Sequence, residues 1–141
     1  ADDLPYRSAD EALIMASIIE RETGAKEERA QIAGVFVRRL QRSMKLQTDP
    51  TVIYGLGAAF SGRLRRADLE RDTPYNTYTR SGLPPSPICA PGAAAIHAAL
   101  HPAAGDALYF VARGDGTHVF SNTLTAHNEA VRTYQLGTQK P

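Results

Sequence analysis

The sequence predicts an α+β domain that is mostly helical and carries one small β-hairpin. Two long stretches, residues 9–23 and 27–41, place apolar side chains at the spacing of a helix. A strand-like run at residues 107–112 is followed by a Gly-Asp-Gly turn and by a second run at residues 118–121. With 141 residues, of which 43% are hydrophobic and 22% charged, the chain has the length of one domain with one core, residues 1–141.

The balance of charge excludes a broad electrostatic attraction to nucleic acid or to anionic membranes. Sixteen Lys and Arg residues and fifteen Asp and Glu residues give a formal net charge of +1, so partners must be recognised locally. The single cysteine, Cys89, excludes an internal disulfide and a multi-cysteine metal site. No apolar run approaches the roughly 20 residues of a membrane span, and the opening residues 1–5 do not resemble a signal peptide. We therefore expect a fragment of a longer protein.

The first helix is expected at residues 9–23. Ser8-Ala9-Asp10-Glu11 has the S-x-x-E form of a capping box, and Gly24 can supply the left-handed residue at the end. The stretch is apolar nearly all round, which predicts a central, buried helix.

A second helix is expected at residues 27–41. Ile32, Val35, Phe36 and Leu40 form one apolar stripe, with Arg29, Arg38 and Arg39 on other faces. The basic run that continues to Arg42 and Lys45 has no interleaved aromatic residues, so it is interpreted as a solvated helix end and not as a nucleic-acid element.

Residues 46–55 place polar groups beside an apolar run. Pro50 is suited to open a short helix, with Thr48 or Asp49 as its cap. The same segment can present Gln47, Thr48 and Asp49 into a cleft, and the sequence leaves both possibilities open.

Polar and aromatic residues alternate along Tyr75-Asn76-Thr77-Tyr78-Thr79, before a proline-rich stretch at residues 82–88 that is held extended. Rigid loops of this composition suit sugar binding, because sugars offer hydroxyls to amides and C–H faces to aromatic rings. Turn formation and core packing explain the same residues equally well. Residues 61–71 are basic and polar, which predicts a surface segment.

A third helix is expected from Pro91-Gly92 to His101-Pro102, and a last helix at residues 123–136 carries His127 and Asn128. His97 and His101 have a spacing that can bind a metal. No third ligand accompanies them, so we expect neither a metal nor a cofactor.

Two carboxylates, Glu20 and Glu22, stand at the end of the first helix. On a wheel of about 100° per residue, Glu22 falls among apolar side chains that include Ile14 and Ile18, whereas Glu20 points away from them. Loss of hydration favours the neutral carboxyl, which raises its pKa toward the range of a general acid near neutral pH. Ordinary helix-end carboxylates that pair with nearby cations are the alternative.

Several motifs follow one another along residues 13–134: Ala16-Ser17-Ile18-Ile19-Glu20-Arg21-Glu22-Thr23, Leu46-Gln47-Thr48-Asp49-Pro50-Thr51-Val52-Ile53-Tyr54-Gly55, Tyr75-Asn76-Thr77-Tyr78, Gly82-Leu83-Pro84-Pro85-Ser86-Pro87-Ile88, and His118-Val119-Phe120-Ser121 with the later His127-Asn128. Any one of them is weak alone. The ordered set resembles the catalytic domain of the MltG (YceG-like) family of endolytic murein transglycosylases. Ala126, where relatives often carry an acidic residue, and Cys89 depart from that pattern.

The resemblance implies an enzyme without a cofactor that cleaves the β-1,4 bond between N-acetylmuramic acid and N-acetylglucosamine in peptidoglycan strands. The product would carry a 1,6-anhydromuramyl end, so that nascent strands are terminated or trimmed. A longer parent protein is also implied, with an N-terminal anchor in the bacterial inner membrane, a LysM-like subdomain, cell-wall synthases as partners, and this domain facing the periplasm or cell-wall side. A glycan-binding module without catalysis is the alternative.

The resemblance assigns the family's catalytic glutamate to Glu22, because a Glu followed by a hydroxyl residue matches Glu22-Thr23, with Glu20 as a possible second carboxylate. The candidate substrate-binding residues are Gln47, Thr48, Asp49, Tyr75, Asn76, Thr77, Tyr78, His127 and Asn128. We expect the small hairpin to lie beside the active-site cleft. Two of the polar clusters, residues 47–49 and 75–78, are expected to line one groove, so that Asn76→Ala weakens turnover with little loss of stability.

Overall fold

A computed structural model describes residues 4–22 and 25–136. Its helices are α1 (Ala9–Glu22), α2 (Arg29–Gln41), α3 (Asp49–Leu56), α4 (Arg66–Glu70), α5 (Ala93–Leu100) and α6 (Leu124–Val131), and its strands are β1 (Tyr109–Ala112) and β2 (His118–Ser121). The chain is thus an α+β domain, as predicted. Among the described residues, no helix has the length and apolar character needed to cross a membrane.

Helix α1 forms the centre of the fold. Its residues from Ile14 to Ile19 are all buried, and Ile18 has no exposed surface. The small residues Ala95, Ala98 and Ala99 let α5 pack closely on α1. The prediction of a buried first helix is confirmed for this stretch, although Leu13 is exposed.

The start of α1 follows the predicted capping pattern with one change. Ser8 Oγ accepts a hydrogen bond from the backbone N of Glu11 at 3.3 Å, but the Glu11 carboxylate accepts from the backbone N of Arg7 and not from that of Ser8, at 2.9 Å. The predicted end of the helix at Thr23 and Gly24 lies outside the described residues.

The second helix begins later than predicted. A 3-10 turn at Lys26–Glu28 precedes α2, whose stripe of Ile32, Val35 and Phe36 is buried in the core. The predicted solvated helix end is confirmed for Arg42 and Lys45, which are exposed, but it is wrong for Arg39. Arg39 is only 7% exposed, because its guanidinium donates to the carbonyl oxygens of Leu108 and Lys45, each at 2.7 Å.

The hairpin confirms the predicted strand, turn and strand. Strands β1 and β2 pair antiparallel, with Val111 opposite Val119. Gly114 and Gly116 have φ angles of 95° and 94°, a conformation that favours glycine. Tertiary packing adds the short helix α4 inside the predicted surface segment, and ends α6 in a π-helical turn at Arg132–Leu136.

Candidate active site

An open cavity of about 640 Å³ lies where the end of α1 meets α2, the hairpin and α6. The hairpin therefore lies beside the cavity, as expected. Several polar side chains from distant parts of the sequence share its wall: Glu22, Arg39, Gln47, Asp49, Tyr78, Tyr109, His118, His127 and Asn128.

Glu22 is the carboxylate that α1 carries into this cavity. The hydroxyl of Thr48 donates a hydrogen bond of 2.5 Å to Glu22 Oε2. Burial raises the pKa of Glu22 to about 7, although the Thr48 hydrogen bond and the charge of His118 act in the opposite direction and Asp49 adds to the rise. Glu22 is partly buried, so the loss of hydration expected from the helical wheel is confirmed in part, and the catalytic role of Glu22 remains a prediction.

Glu20 has a different task in the structure. Its Oε1 accepts a hydrogen bond of 2.8 Å from the backbone N of Gly92, the residue that precedes α5. A carboxylate at this position satisfies one of the free N–H groups at the helix start and interacts favourably with the helix dipole. Glu20 is not part of the cavity wall around Glu22.

The segment before α3 is fixed by a cluster of buried threonines. Thr77 Oγ1 accepts from the backbone N of Thr48 at 2.9 Å and lies 2.9 Å from Thr51 Oγ1. Gln47 has a φ of 52°, and its backbone N donates to the carbonyl of Thr77. Thr48 occupies the N-cap position of α3 but makes no side-chain cap. Its hydroxyl donates to Glu22 instead. Of the two possibilities that the sequence left open, the structure supports the cleft for Gln47 and Asp49, which line the cavity, whereas Thr48 takes the N-cap position without the side-chain hydrogen bond of a cap.

Asp49 and Tyr78 form a hydrogen-bonded pair in the cavity wall. The hydroxyl of Tyr78 donates to Asp49 Oδ1 at 2.6 Å. Burial, followed by this hydrogen bond, raises the pKa of Tyr78, so the phenol stays neutral. The pair offers a fixed acceptor and a polarised hydroxyl to a ligand near Glu22.

The expectation of one groove is wrong for Tyr75, Asn76 and Thr77, which are not part of the wall around Glu22. The hydroxyl of Tyr75 lies 2.6 Å from Ser86 Oγ. Asn76 is only 1% exposed, because its amide nitrogen donates to the carbonyls of two earlier residues and its amide oxygen accepts from two later backbone N–H groups: Leu69, Arg71, Tyr78 and Thr79. Asn76 therefore holds a turn together.

His127 and Asn128 reach the cavity from α6. The ring of His127 stacks on Tyr109 with centroids 5.1 Å apart, and the guanidinium of Arg39 lies 5.0 Å from the centre of the same tyrosine ring. Burial and the nearby cation of Arg39 lower the pKa of His127, which keeps the imidazole neutral at neutral pH. No local sequence pattern predicted that Arg39 and Tyr109 belong to this wall.

A buried pair, His118 and Glu28, was not predicted from the sequence. His118 Nδ1 lies 2.7 Å from Glu28 Oε1, and the backbone N of His118 donates to Glu28 Oε2 at 3.0 Å. In the sequence, His118 stands out only as part of a motif, and Glu28 is one of two glutamates at the acidic start of a predicted helix.

No metal site is apparent in residues 4–22 and 25–136. No group of three or more His, Cys, Asp or Glu side chains there could hold a metal ion. His97 and His101 stack on each other with ring centroids 4.4 Å apart, and both are exposed.

Comparison with known proteins places this site in a family. The family model described as YceG-like matches residues 1–133. The chain belongs to the YceG-like family. The match confirms the resemblance that the separated motifs indicated. The matched residues include all the polar side chains named above in the cavity wall, up to His127 and Asn128.

Two curated relatives of this YceG-like chain carry the name endolytic murein transglycosylase. The protein of Bacillus subtilis (strain 168) is 48% identical over 127 residues, which cover 90% of this chain and 35% of the relative. That of Streptococcus pneumoniae serotype 2 is 35% identical over 129 residues, covering 88% of this chain and 23% of the relative. The chain thus spans about a third or less of their length.

A solved structure supports the fold. A YceG-like protein of Listeria monocytogenes superimposes with a TM-score of 0.81 at 48% identity, and the match covers 87% of this chain and 40% of that one.

Proposed function

We propose that this domain is the catalytic part of an endolytic peptidoglycan lytic transglycosylase. It would cleave the β-1,4 bond between N-acetylmuramic acid and N-acetylglucosamine and leave a 1,6-anhydromuramyl end, which terminates or trims nascent strands. The names of the relatives support the substrate class. The mechanism rests on one observation: the Glu22 carboxyl, with a pKa raised to about 7, lies in the wall of an open cavity.

A lytic transglycosylase needs one group that first gives a proton and then takes one. Protonated Glu22 donates to the glycosidic oxygen as the bond to C1 breaks, and the N-acetylglucosamine leaves as an alcohol. The Glu22 carboxylate then accepts the proton of the muramic acid's own 6-hydroxyl while that oxygen bonds to C1. The internal nucleophile replaces the water of a hydrolase and benefits from a high effective concentration.

The surroundings of Glu22 suit both halves of this cycle. Thr48 donates to Oε2, so Oε1 is the oxygen that carries the mobile proton. A pKa of about 7 makes the acid and base forms comparably populated at neutral pH. Asp49, Gln47, Tyr78, His127 and Asn128 would bind the sugars around the scissile bond.

The test is product analysis with two matched variants, Glu22→Gln and Glu20→Gln. The amide of Glu22→Gln keeps its size but cannot give a proton, so we expect anhydro-ended product to fall by about 10²-fold to 10⁴-fold. Glu20→Gln can still accept from Gly92 through its amide oxygen and should keep most of the activity.

Three outcomes would contradict the proposal. Reducing ends in place of anhydro ends would indicate a hydrolase. Binding of glycan strands without any turnover by the unaltered domain would indicate a binding module. Activity that survives Glu22→Gln but is lost in Glu20→Gln would move the acid to the other carboxylate.

We further propose that the parent protein is anchored in the bacterial inner membrane, with this domain on the periplasmic or cell-wall side, where it would work beside cell-wall synthases. Nascent glycan strands occur there, and the longer relatives leave room for such an anchor. Fractionation of cells that express the full-length protein would test this placement.

A further inference from the structure

Glu28 and His118 form a pair in which the Nδ1 side of the imidazole is held by the carboxylate. Glu28 uses one carboxylate oxygen for His118 Nδ1 and the other for the backbone N of the same residue. Both residues are only 9% exposed. The ring also meets Phe110 edge to face, with centroids 5.4 Å apart. The imidazole is therefore held on its flanks as well as at Nδ1.

The hydrogen bond at Nδ1 decides what the other ring nitrogen can do. An ionised carboxylate only accepts hydrogen bonds, so Nδ1 carries the hydrogen that it donates to Glu28. In the neutral imidazole, Nε2 is then an acceptor. This arrangement of carboxylate and histidine is a common way to set a tautomer.

His118 lines the same cavity as Glu22, whereas Glu28 lies behind the ring and outside the cavity wall. Nδ1 faces Glu28, so Nε2 is the nitrogen on the side away from it. Glu22 and His118 belong to the same cavity wall. The acceptor at Nε2 is a property of the neutral imidazole, because a protonated ring donates at both nitrogens. An acceptor in this position suits a hydroxyl group of a ligand that has reached Glu22.

We propose that His118 is a substrate-binding residue: its neutral imidazole, with the tautomer set by Glu28, accepts a hydrogen bond at Nε2 from a sugar hydroxyl of the bound glycan. The inference rests on the proposed function and adds a specific group to it. Glu28 is then a positioning residue that acts only through His118.

Two variants separate this role from a structural one. In His118→Asn, the amide N–H can take the place of Nδ1–H toward Glu28, but nothing replaces Nε2. In Glu28→Gln, the amide oxygen can keep the backbone bond, which turns the NH₂ group toward Nδ1. The imidazole must then accept at Nδ1 and carry its hydrogen on Nε2. His97→Asn, at an exposed imidazole of α5, is the matched control.

The reaction would be followed with uncrosslinked glycan strands of defined length. Loss of one hydrogen bond of about 1 kcal/mol corresponds to a roughly 5-fold change in affinity. We therefore expect KM to rise about 5-fold in His118→Asn, with a smaller change in kcat. Glu28→Gln should raise KM similarly, and the double variant should be no worse than either single one. The control should match the unaltered domain.

A binding measurement keeps this inference separate from the catalytic proposal. In the Glu22→Gln background, the Kd for the same strands should rise by a similar factor when His118→Asn is added. Failure of the catalytic proposal would appear as missing anhydro ends, with this difference in Kd preserved. Unchanged KM and Kd in a folded His118→Asn, or fully additive losses in the double variant, would overturn the role of His118 and Glu28.

Discussion

Glu22 shows how opposing influences on one carboxyl set its chemistry. Burial disfavours the charged form, while the Thr48 hydroxyl at 2.5 Å favours it. Burial is the larger influence, because the net pKa is about 7 and not the ordinary 4.5. At neutral pH neither form dominates, which is the condition that a group serving as acid and then as base requires.

The pH dependence of the reaction follows from this pKa. Cleavage begins with protonated Glu22, so kcat/KM should be lost as pH rises through about 7 and should fall about tenfold per further pH unit. A pH profile of anhydro-end formation measures this limb. A rate that stays constant up to pH 9 would mean that another group supplies the proton.

Thr48 should influence the pH at which activity is lost. Thr48→Val removes the hydroxyl but keeps the shape, and the hydrogen bond it removes favours the carboxylate. The pKa of Glu22 should therefore rise, moving the limb in the pH profile to higher pH. Thr51→Val is the control, because Thr51 Oγ1 donates to the carbonyl of Thr48 and not to Glu22. Equal shifts in both variants would show that the effect comes from loosening the threonine cluster.

At the scale of elements, buried polar side chains join segments whose contact could not be predicted from local sequence patterns. Asn76 ties the turn before Tyr78 to the end of α4 through four hydrogen bonds. Asn76→Ala should destabilise the fold by roughly 2 to 4 kcal/mol, since buried backbone groups lose their partners. Urea unfolding measures this loss. Asn122→Ala, which removes one exposed hydrogen bond to Asp106, should change stability far less.

Arg39 joins α2 to the start of the hairpin in the same way. Arg39→Met keeps most of the apolar stem but leaves the carbonyls of Leu108 and Lys45 unpaired, so we expect a loss of roughly 2 to 4 kcal/mol in the free energy of unfolding. The more exposed Arg38 bonds the carbonyls of Ala103 and Ala107, and Arg38→Met should cost less. Equal losses in both variants would contradict the difference that burial predicts.

Local patterns predicted the helices and the hairpin well, because periodicity, prolines and glycines act within a few residues. They failed where a side chain serves distant backbone. The wheel placed Arg39 away from the apolar stripe, but it could not show that the carbonyl of Leu108, 69 residues later in sequence, accepts a hydrogen bond from its guanidinium. Asn76 looked like a ligand-binding residue for the same reason. The wheel predicted that Glu22 loses hydration, but the apolar side chains that share its cavity wall, such as Phe36 and Phe110, come from other elements.

At the scale of the whole molecule, the cavity is an assembly of separate segments around the end of α1. The formal net charge of +1 near neutral pH means that repulsion between like charges contributes little to its stability there. The dependence of stability on pH near neutrality is then governed by individual groups that folding perturbs. Glu22 is such a group, because burial in the folded state raises its pKa.

The sign of its effect can be measured directly. The folded state raises the pKa of Glu22 from 4.5 to about 7, so it binds the Glu22 proton more tightly than the unfolded state does. The stabilisation this provides is complete below about pH 4.5 and is lost as pH rises through about 7, a change of roughly 3 kcal/mol at most. Glu22→Gln has no such dependence. The difference in free energy of unfolding between Glu22→Gln and the unaltered domain, measured in urea from pH 4 to 8.5, should therefore shift in favour of the variant as pH rises. A difference that stays constant over this range would mean that burial does not raise the pKa of Glu22.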